Sequence, residues 1–276
     1  MTDQQARYDR IAEGYAEWWS PVHRPATLGL LDEIAPAMEA GATRVVDVGC
    51  GTGALVGEIA ARWPRAHVTG VDISARMLAI AARVIDALPG RVGDRVTLVQ
   101  APAGRLPSAD GAFDVATSAF VLQLVPSRFG ALREARRVLA PDGMLATVTW
   151  MPGTAVGADA AYDDALVAAG LEPRGAGSTH DDPASPAVAE ARLRRAGFAR
   201  VRGREDVVRH RYTPEGYLEF VRRFDDEDLF ASLDEERRRA LEADLLARLR
   251  ALPPDSLVLR YPVTYATGRR SARTHP

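Results

Sequence analysis

The chain contains no lysine, so all 35 of its basic residues are arginine. That absence removes lysine Schiff-base chemistry, and with it the enzymes that hold pyridoxal phosphate on such a lysine. Cysteine is almost missing as well. Cys50 stands alone, which excludes an intrachain disulfide and a cysteine-built metal site. No apolar run approaches the roughly 18–20 residues needed to span a bilayer. The polar start, Met1-Thr2-Asp3-Gln4-Gln5, lacks the apolar core of a signal peptide, so a cytoplasmic protein is the expectation. Neither sign of charge is in excess. A formal net charge of -2 offers no electrostatic reason for a nucleic-acid or membrane partner.

What is present is the composition of an ordinary globular protein, 276 residues with 47% hydrophobic and 26% charged. That is enough chain for one large α/β domain with a small cap. The first forty residues read as two helices. Tyr8, Ile11, Ala12, Tyr15, Trp18 and Trp19 recur at helical spacing until Ser20-Pro21, and Pro25 opens a second helix that Gly41 closes. From residue 44 the pattern becomes short apolar runs alternating with helices, the mark of a parallel sheet. Strands are expected at 44–48, 67–71, 96–99, 113–118 and 144–150, with helices at 54–63, after the N-cap Ser74, and at 128–139. Pro141-Asp142-Gly143 ends the last of these helices. The rhythm then breaks. Residues 151–185 form a Gly- and Pro-rich stretch with one helix near 162–169, followed by a helix at 186–195 and a strand at 201–212. A charged helical stretch occupies 213–252, and a last strand 257–267.

The run Val45-Val46-Asp47-Val48-Gly49-Cys50-Gly51-Thr52-Gly53 is a strand that ends in glycines and flows into a helix. Such a turn lets backbone approach a ligand closely, with helix N–H groups directed at it. Gly49, Gly51 and Ala54 also fit the nicotinamide fingerprint formally. Asp72, at the end of the second strand, is placed to accept hydrogen bonds from a ribose diol under either reading. Three features separate the two. Asp47 lies inside the first strand, where a nicotinamide-binding strand is usually apolar. The segment Arg137-Val138-Leu139-Ala140-Pro141-Asp142-Gly143-Met144-Leu145 has a methyltransferase-like helix–turn–strand spacing. The chain ends in two strands flanking helices, not in a second dehydrogenase half.

From Val45 to Trp150 the sequence resembles the class I S-adenosylmethionine-dependent methyltransferases, in particular the small-molecule branch of ubiquinone and menaquinone biosynthesis. The matching pieces include Val71-Asp72-Ile73-Ser74, Leu106-Pro107, Asp110-Gly111-Ala112-Phe113-Asp114, Leu122-Gln123-Leu124-Val125-Pro126 and Ala196-Gly197-Phe198. The resemblance implies a Rossmann-like, doubly wound seven-stranded sheet of order 3-2-1-4-5-7-6 with the last strand antiparallel. It divides the single domain into N-terminal helices over the cofactor (1–42), a cofactor-binding core (43–150), cap elements for substrate (151–185 and 213–252) and closing elements (186–212 and 257–268). The cofactor would be S-adenosyl-L-methionine. Gly49, Cys50, Gly51 and Gly53 would hold its methionine part, Asp72 its ribose, and Ile73 with Met77 its adenine side. Ser118 would lie near the amino group and methyl, oriented with Asp47, and Tyr15 would cover the site. Pro102-Ala103 departs from the family, whose acidic residue there reads the adenine amino group. Proline has neither a side-chain acceptor nor a backbone N–H, leaving only the N–H of Ala103.

Methyl transfer is an in-line displacement in which alignment supplies much of the rate, so no universal catalytic residue exists to search for. His180, His210 and Gln123 are the candidates for acceptor chemistry, whereas His23 and His67 give less reason for notice. Trp18, Trp19, Tyr162, Tyr217, Phe220, Phe224 and Phe230 could line an apolar pocket or simply hold the cap down. Asp159, Asp163, Asp164 and the run 225–228 read as solvated faces rather than as a metal site. The acceptor is therefore expected to be a small, apolar or aromatic metabolite methylated on O, N or C, and a homodimer stays open. The alternatives are decarboxylation or cyclisation on the same fold, a non-catalytic binding homologue and, more distantly, a nicotinamide enzyme.

Overall fold

The computed structural model describes residues 3–153, 156–174 and 182–271. Among them, seven strands form one sheet: β1 (Arg44–Val48), β2 (His67–Asp72), β3 (Val96–Gln100), β4 (Phe113–Ala119), β5 (Leu139–Trp150), β6 (Phe198–Arg211) and β7 (Val258–Arg270). Their order is β3-β2-β1-β4-β5-β7-β6. β7 runs antiparallel to β5 and β6, and the other pairings are parallel. The expected topology is the observed one. It puts the strand-order reversal between β1 and β4, where open α/β sheets place their ligand crevice.

The central strands are apolar throughout because both of their faces are covered. Val45 and Ala146 pack on one side with Leu30 and Ile34 of helix α2 (Ser20–Glu39) and with Leu55 and Ile59 of α3 (Ala54–Arg62). Val46, Val48 and Leu145 pack on the other with Leu132 of α5 (Arg128–Val138) and Leu193 of α7 (Pro186–Arg195). Each such side chain contributes about 1.5–3 kcal/mol, against about 0–1 for an exposed ion pair, so these two layers hold the sheet. Helix starts carry their own signals. Ser74 accepts the N–H of Met77 at the start of α4 (Ala75–Asp86), and Ser127 and Ser185 do the same for α5 and α7.

Two expectations need correction. The second helix opens at Ser20, not at Pro25, which sits inside α2. Pro21 tolerates a first-turn position, where its N–H would be unbonded anyway. The backbone bond lost at Pro25 is outweighed by the buried face of Val22, Ala26, Leu30 and Ile34. Second, Pro141-Asp142-Gly143 does not stand outside the strand as a helix-ending turn but is taken up in β5. Pairing with β4 jumps from Phe113–Leu139 to Val115–Met144, and Asp142 has a φ of 59°. The extra residues are accommodated as a bulge.

The N-terminal helix α1 (Asp3–Gly14) reaches α2 through a π-helical turn at Tyr15–Trp19. Between α8 (Pro214–Phe220) and α9 (Glu227–Ser232) lies a second π-helical turn, Val221–Asp225. α6 (Gly157–Ala168) and α10 (Glu235–Ala251) pack against each other in the cap. The two widened turns meet face to face, with the Trp19 and Phe224 rings stacked at 5.7 Å. Gly14 makes the approach possible, since a Cβ there would overlap the carbonyl oxygen of Arg223. Gly14→Ala would gain up to about 1 kcal/mol in a free helix. Here it is expected to cost about 1–3 kcal/mol through overpacking, a reversal of sign that urea denaturation will show.

Candidate active site

One carbonyl holds the glycine turn. The Val71 oxygen at the end of β2 accepts both the Gly49 N–H (2.7 Å) and the Cys50 N–H (3.0 Å). Gly49, Gly51 and Gly53 have φ of 75°, 51° and 81°, a region in which only glycine is comfortable. Their surroundings differ. A Cβ at Gly49 would overlap Val121 and one at Gly53 would press on Ala81 at 2.8 Å, whereas one at Gly51 would meet nothing within 4 Å. The turn is therefore closed against the protein at both ends and open in its middle, a cradle for a ligand.

Asp72 closes one side of that cradle. Its two oxygens accept the Gly51 and Ser74 N–H groups, each at 2.9 Å, with lone pairs left for a diol. Burial raises its pKa, and the N–H groups of Ser74, Gly51 and Ile73 partly offset this. Asp47 lies one strand away and is 2% exposed. It faces Thr117 across the β1–β4 pair and accepts that hydroxyl at 2.7 Å. Burial pushes its pKa up to about 7, opposed by the Thr117 bond and helped by the charge of Asp72. Among the described residues neither carboxylate at the sheet's switch point has a cationic partner, and the pair suits a ligand that brings positive charge.

The N-terminal segment covers this corner. Asp9 of α1 accepts from the Ser74 hydroxyl (2.6 Å) and the Arg76 N–H (3.2 Å), pinning α1 to the start of α4. Met77 is buried against Ala12, with Tyr8 and Tyr15 beside it. Beyond the ends of β4 and β5, Phe120 stacks on Trp150 with ring centroids 4.2 Å apart. Phe120 has a φ of 58°, strain of about 1–3 kcal/mol that points to function when it occurs at a site. Trp19, Phe220 and Phe224 continue the aromatic surface at centroid spacings of 5.5 to 5.7 Å. His23 lies in its midst, 5.2 Å from the Phe120 ring and bonded through Nε2 to the Tyr15 hydroxyl at 2.8 Å.

The structure brings together Asp47, the three glycines, Cys50, Asp72, Ile73, Met77 and Tyr15. Ser118 is adjacent, but its hydroxyl donates to the Val48 carbonyl at 3.0 Å, inside the sheet. Pro102 is exposed, and the Ala103 N–H finds no acceptor among the described residues. Gln123 sits on the opposite face of the sheet from Trp150, in a small cavity lined by Thr147, Thr149 and Leu122. Those threonines alternate with Val148 and Trp150 along β5, so Gln123 does not join the aromatic cluster. His210 stands on the edge strand β6, edge-on to Tyr212 at 4.5 Å, and burial lowers its pKa. His180 lies outside the described residues. Among the aromatics, Trp19, Phe220 and Phe224 join the cluster, whereas Tyr162 and Phe230 stack on each other within the cap at 6.3 Å. Asp159, Asp163 and Asp225 converge on the Arg174 guanidinium at 2.8 to 3.4 Å. Sequence reasoning passed over His23, Phe120 and Trp150 as site residues. A left-handed residue at a strand end and a widened helical turn leave no periodic signal.

The family model described as a methyltransferase domain matches residues 45–143. A malonyl-[acyl-carrier protein] O-methyltransferase of Geobacter sulfurreducens is 33% identical over 82% of this chain and 84% of its own length. A nocamycin O-methyltransferase of Saccharothrix syringae is 31% identical over 95% of this chain and 96% of its own. A ubiquinone/menaquinone biosynthesis C-methyltransferase of Syntrophotalea carbinolica is 38% identical over 52% of this chain and 59% of its own length.

The buried Asp47 makes a prediction about stability. Its folded pKa, about 7, lies above the unfolded value of about 4. The folded state therefore binds the extra proton between those limits, and this group's contribution to stability falls as pH rises from about 4 to about 7. At about 1.4 kcal/mol per pKa unit the full swing is on the order of 4 kcal/mol. Urea denaturation at pH 5 and pH 8 should show Asp47→Asn losing much less stability across that interval than wild type. Equal losses would mean that Asp47 is not the titrating group.

Proposed function

We propose, on the premise that this chain belongs to the S-adenosylmethionine-dependent methyltransferases, that it methylates an oxygen of a small apolar or aromatic acceptor held against the aromatic cluster of Phe120, Trp150, Trp19 and Phe224. The observation that carries this reading is the Phe120–Trp150 stack, which stands over the ends of β4 and β5 beside the glycine turn. An apolar wall there would desolvate and orient a flat acceptor. Oxygen is favoured because the two relatives matched over most of this chain are both named as O-methyltransferases.

When bound, S-adenosylmethionine supplies an electrophilic methyl on a positively charged sulfur. The residues present fit that group. The open middle of the turn at Gly51 admits its methionine portion, and the paired lone pairs of Asp72 suit the ribose diol. Ile73, which is half-buried, and the Ala103 N–H would face the adenine. Asp47 would answer the cofactor's positive charge from within the sheet, and Tyr15 and Met77 would close over it. These residues bind, orient and exclude water; alignment rather than bond-making by the protein accounts for most of the expected acceleration.

Titration calorimetry tests the cradle. Asp72→Ala should weaken S-adenosylmethionine binding at least about tenfold, because two hydrogen bonds to a charged acceptor are lost. Unchanged affinity would refute the ribose assignment. Asp47 adds a pH signature. A cation beside it favours its ionised form, so affinity should rise as pH increases from 5 toward 7 and then level off. Asp47→Asn should remove that rise. For the acceptor, a panel of phenols, enols and carboxylic acids incubated with deuteromethyl-labelled cofactor will be read by mass spectrometry. A product gaining one labelled methyl supports the proposal, and a cyclised or decarboxylated product without label would replace it with the alternative chemistry.

A further inference from the structure

His23 and Tyr15 are bonded to each other within the aromatic cluster. His23 is 6% exposed, with Nε2 bonded to the Tyr15 hydroxyl at 2.8 Å and Nδ1 to the Thr27 hydroxyl at 3.1 Å. The contact depends on the π-helical turn. In an uninterrupted α-helix, residues eight apart lie about 80° apart around the axis. The Ser20 N–H reaches back five residues to the Tyr15 carbonyl, absorbing one extra residue. Eight residues then behave as seven, the separation that returns to the same face.

Tyr15 lies on the boundary between the two halves of the site. Its hydroxyl feels the charge of Asp72, its ring meets Tyr8 edge-on at 6.2 Å on the cofactor side, and it meets Phe224 at 5.8 Å on the side of the aromatic cluster. We infer that His23 is a positioning residue of the cofactor site, acting through Tyr15: by accepting the phenolic proton it locks the hydroxyl rotor and holds the ring over the glycine turn. This rests on the reading of that turn and Asp72 as the cofactor's cradle. Imidazole nitrogen is a far better acceptor than phenolic oxygen, so Tyr15 donates to Nε2 and Nδ1–H donates to Thr27. The oxygen of Tyr15 keeps both lone pairs, directed away from His23 and available to a positively charged neighbour. Burial lowers the His23 pKa to about 4, which keeps the ring neutral and the arrangement intact at neutral pH. A neutral histidine of this kind does not take up the acceptor's proton; it aims another residue.

The test measures S-adenosylmethionine and S-adenosylhomocysteine binding by calorimetry in Tyr15→Phe, His23→Leu, His23→Gln and the double variant Tyr15→Phe/His23→Leu. Glutamine can present an acceptor at the reach of Nε2, whereas leucine cannot. Each of Tyr15→Phe and His23→Leu should weaken S-adenosylmethionine about tenfold, the scale of one charge-assisted hydrogen bond. The double variant should lose no more than either single one, and His23→Gln should stay near wild type. Nitrogen-15 NMR of the histidine ring should show the Nδ1–H tautomer, a hydrogen-bonded Nε2 that loses its bond in Tyr15→Phe, and a shift on saturation with cofactor. These ring signals decide the matter even when the leucine variant fails to fold. Multiplying losses, wild-type affinity in a folded but less stable His23→Leu, or an Nε2–H tautomer would each overturn the inference while leaving the cofactor reading standing. Wild-type protein that binds neither compound would overturn both.

Discussion

The carbonyl of Val71 is the point on which the site depends. By accepting two successive N–H groups it bends the chain leaving β1 into a left-handed glycine turn. That turn starts α3 and fixes the distance to Asp72, whose own oxygens return to Gly51 and Ser74. Glycine adopts these positive φ angles without strain, and β1, buried on both faces, holds the turn in place. Every other site element is placed relative to this corner. α4 begins beside it, α1 is pinned to α4 through Asp9, and the aromatic cluster stands at the end of the next strand over.

Electrostatics follow from the same burial. Asp47 and Asp72 are held at the switch point by hydroxyl and N–H donors rather than by arginine, although the chain has 35 arginines to offer. Burial raises the pKa of both acids and donors of that kind only partly offset it, so a cation arriving beside them favours their ionised form. The cap solves the opposite problem. There Arg174 gathers Asp159, Asp163 and Asp225 and sits 4.5 Å from the Tyr162 ring. Those charges are spent on holding the cap, whereas the charges at the glycine turn are left for a ligand.

The two π-helical turns show how such a site is closed. A widened turn presents one residue more than an α-turn would, which costs regularity but redirects side chains, and such turns concentrate at functional sites. Here Tyr15–Trp19 and Val221–Asp225 face each other, so a segment near the N-terminus and one from the C-terminal half build a common aromatic surface. Gly14 is the residue that lets them close.

The cofactor half of the protein was legible in the sequence because its signals are local. Glycines at a strand end, an acid inside β1, an acid ending β2 and serine caps each record a requirement of the nearest few residues. The order of the sheet follows from the family resemblance. The aromatic cluster was not legible. Its rings come from four segments far apart in the chain, and its orientation depends on a left-handed Phe120 and on a helical turn one residue too wide. A periodic reading therefore placed Pro25 at a helix start, and the family resemblance, not packing, favoured His210 and Gln123 over His23. The sequence by itself determined where the glycine turn and its two acids stand, since that turn needs particular residues at particular local angles. Only the tertiary structure decided which side chains meet above it, because packing of distant elements, not local geometry, sets that neighbourhood.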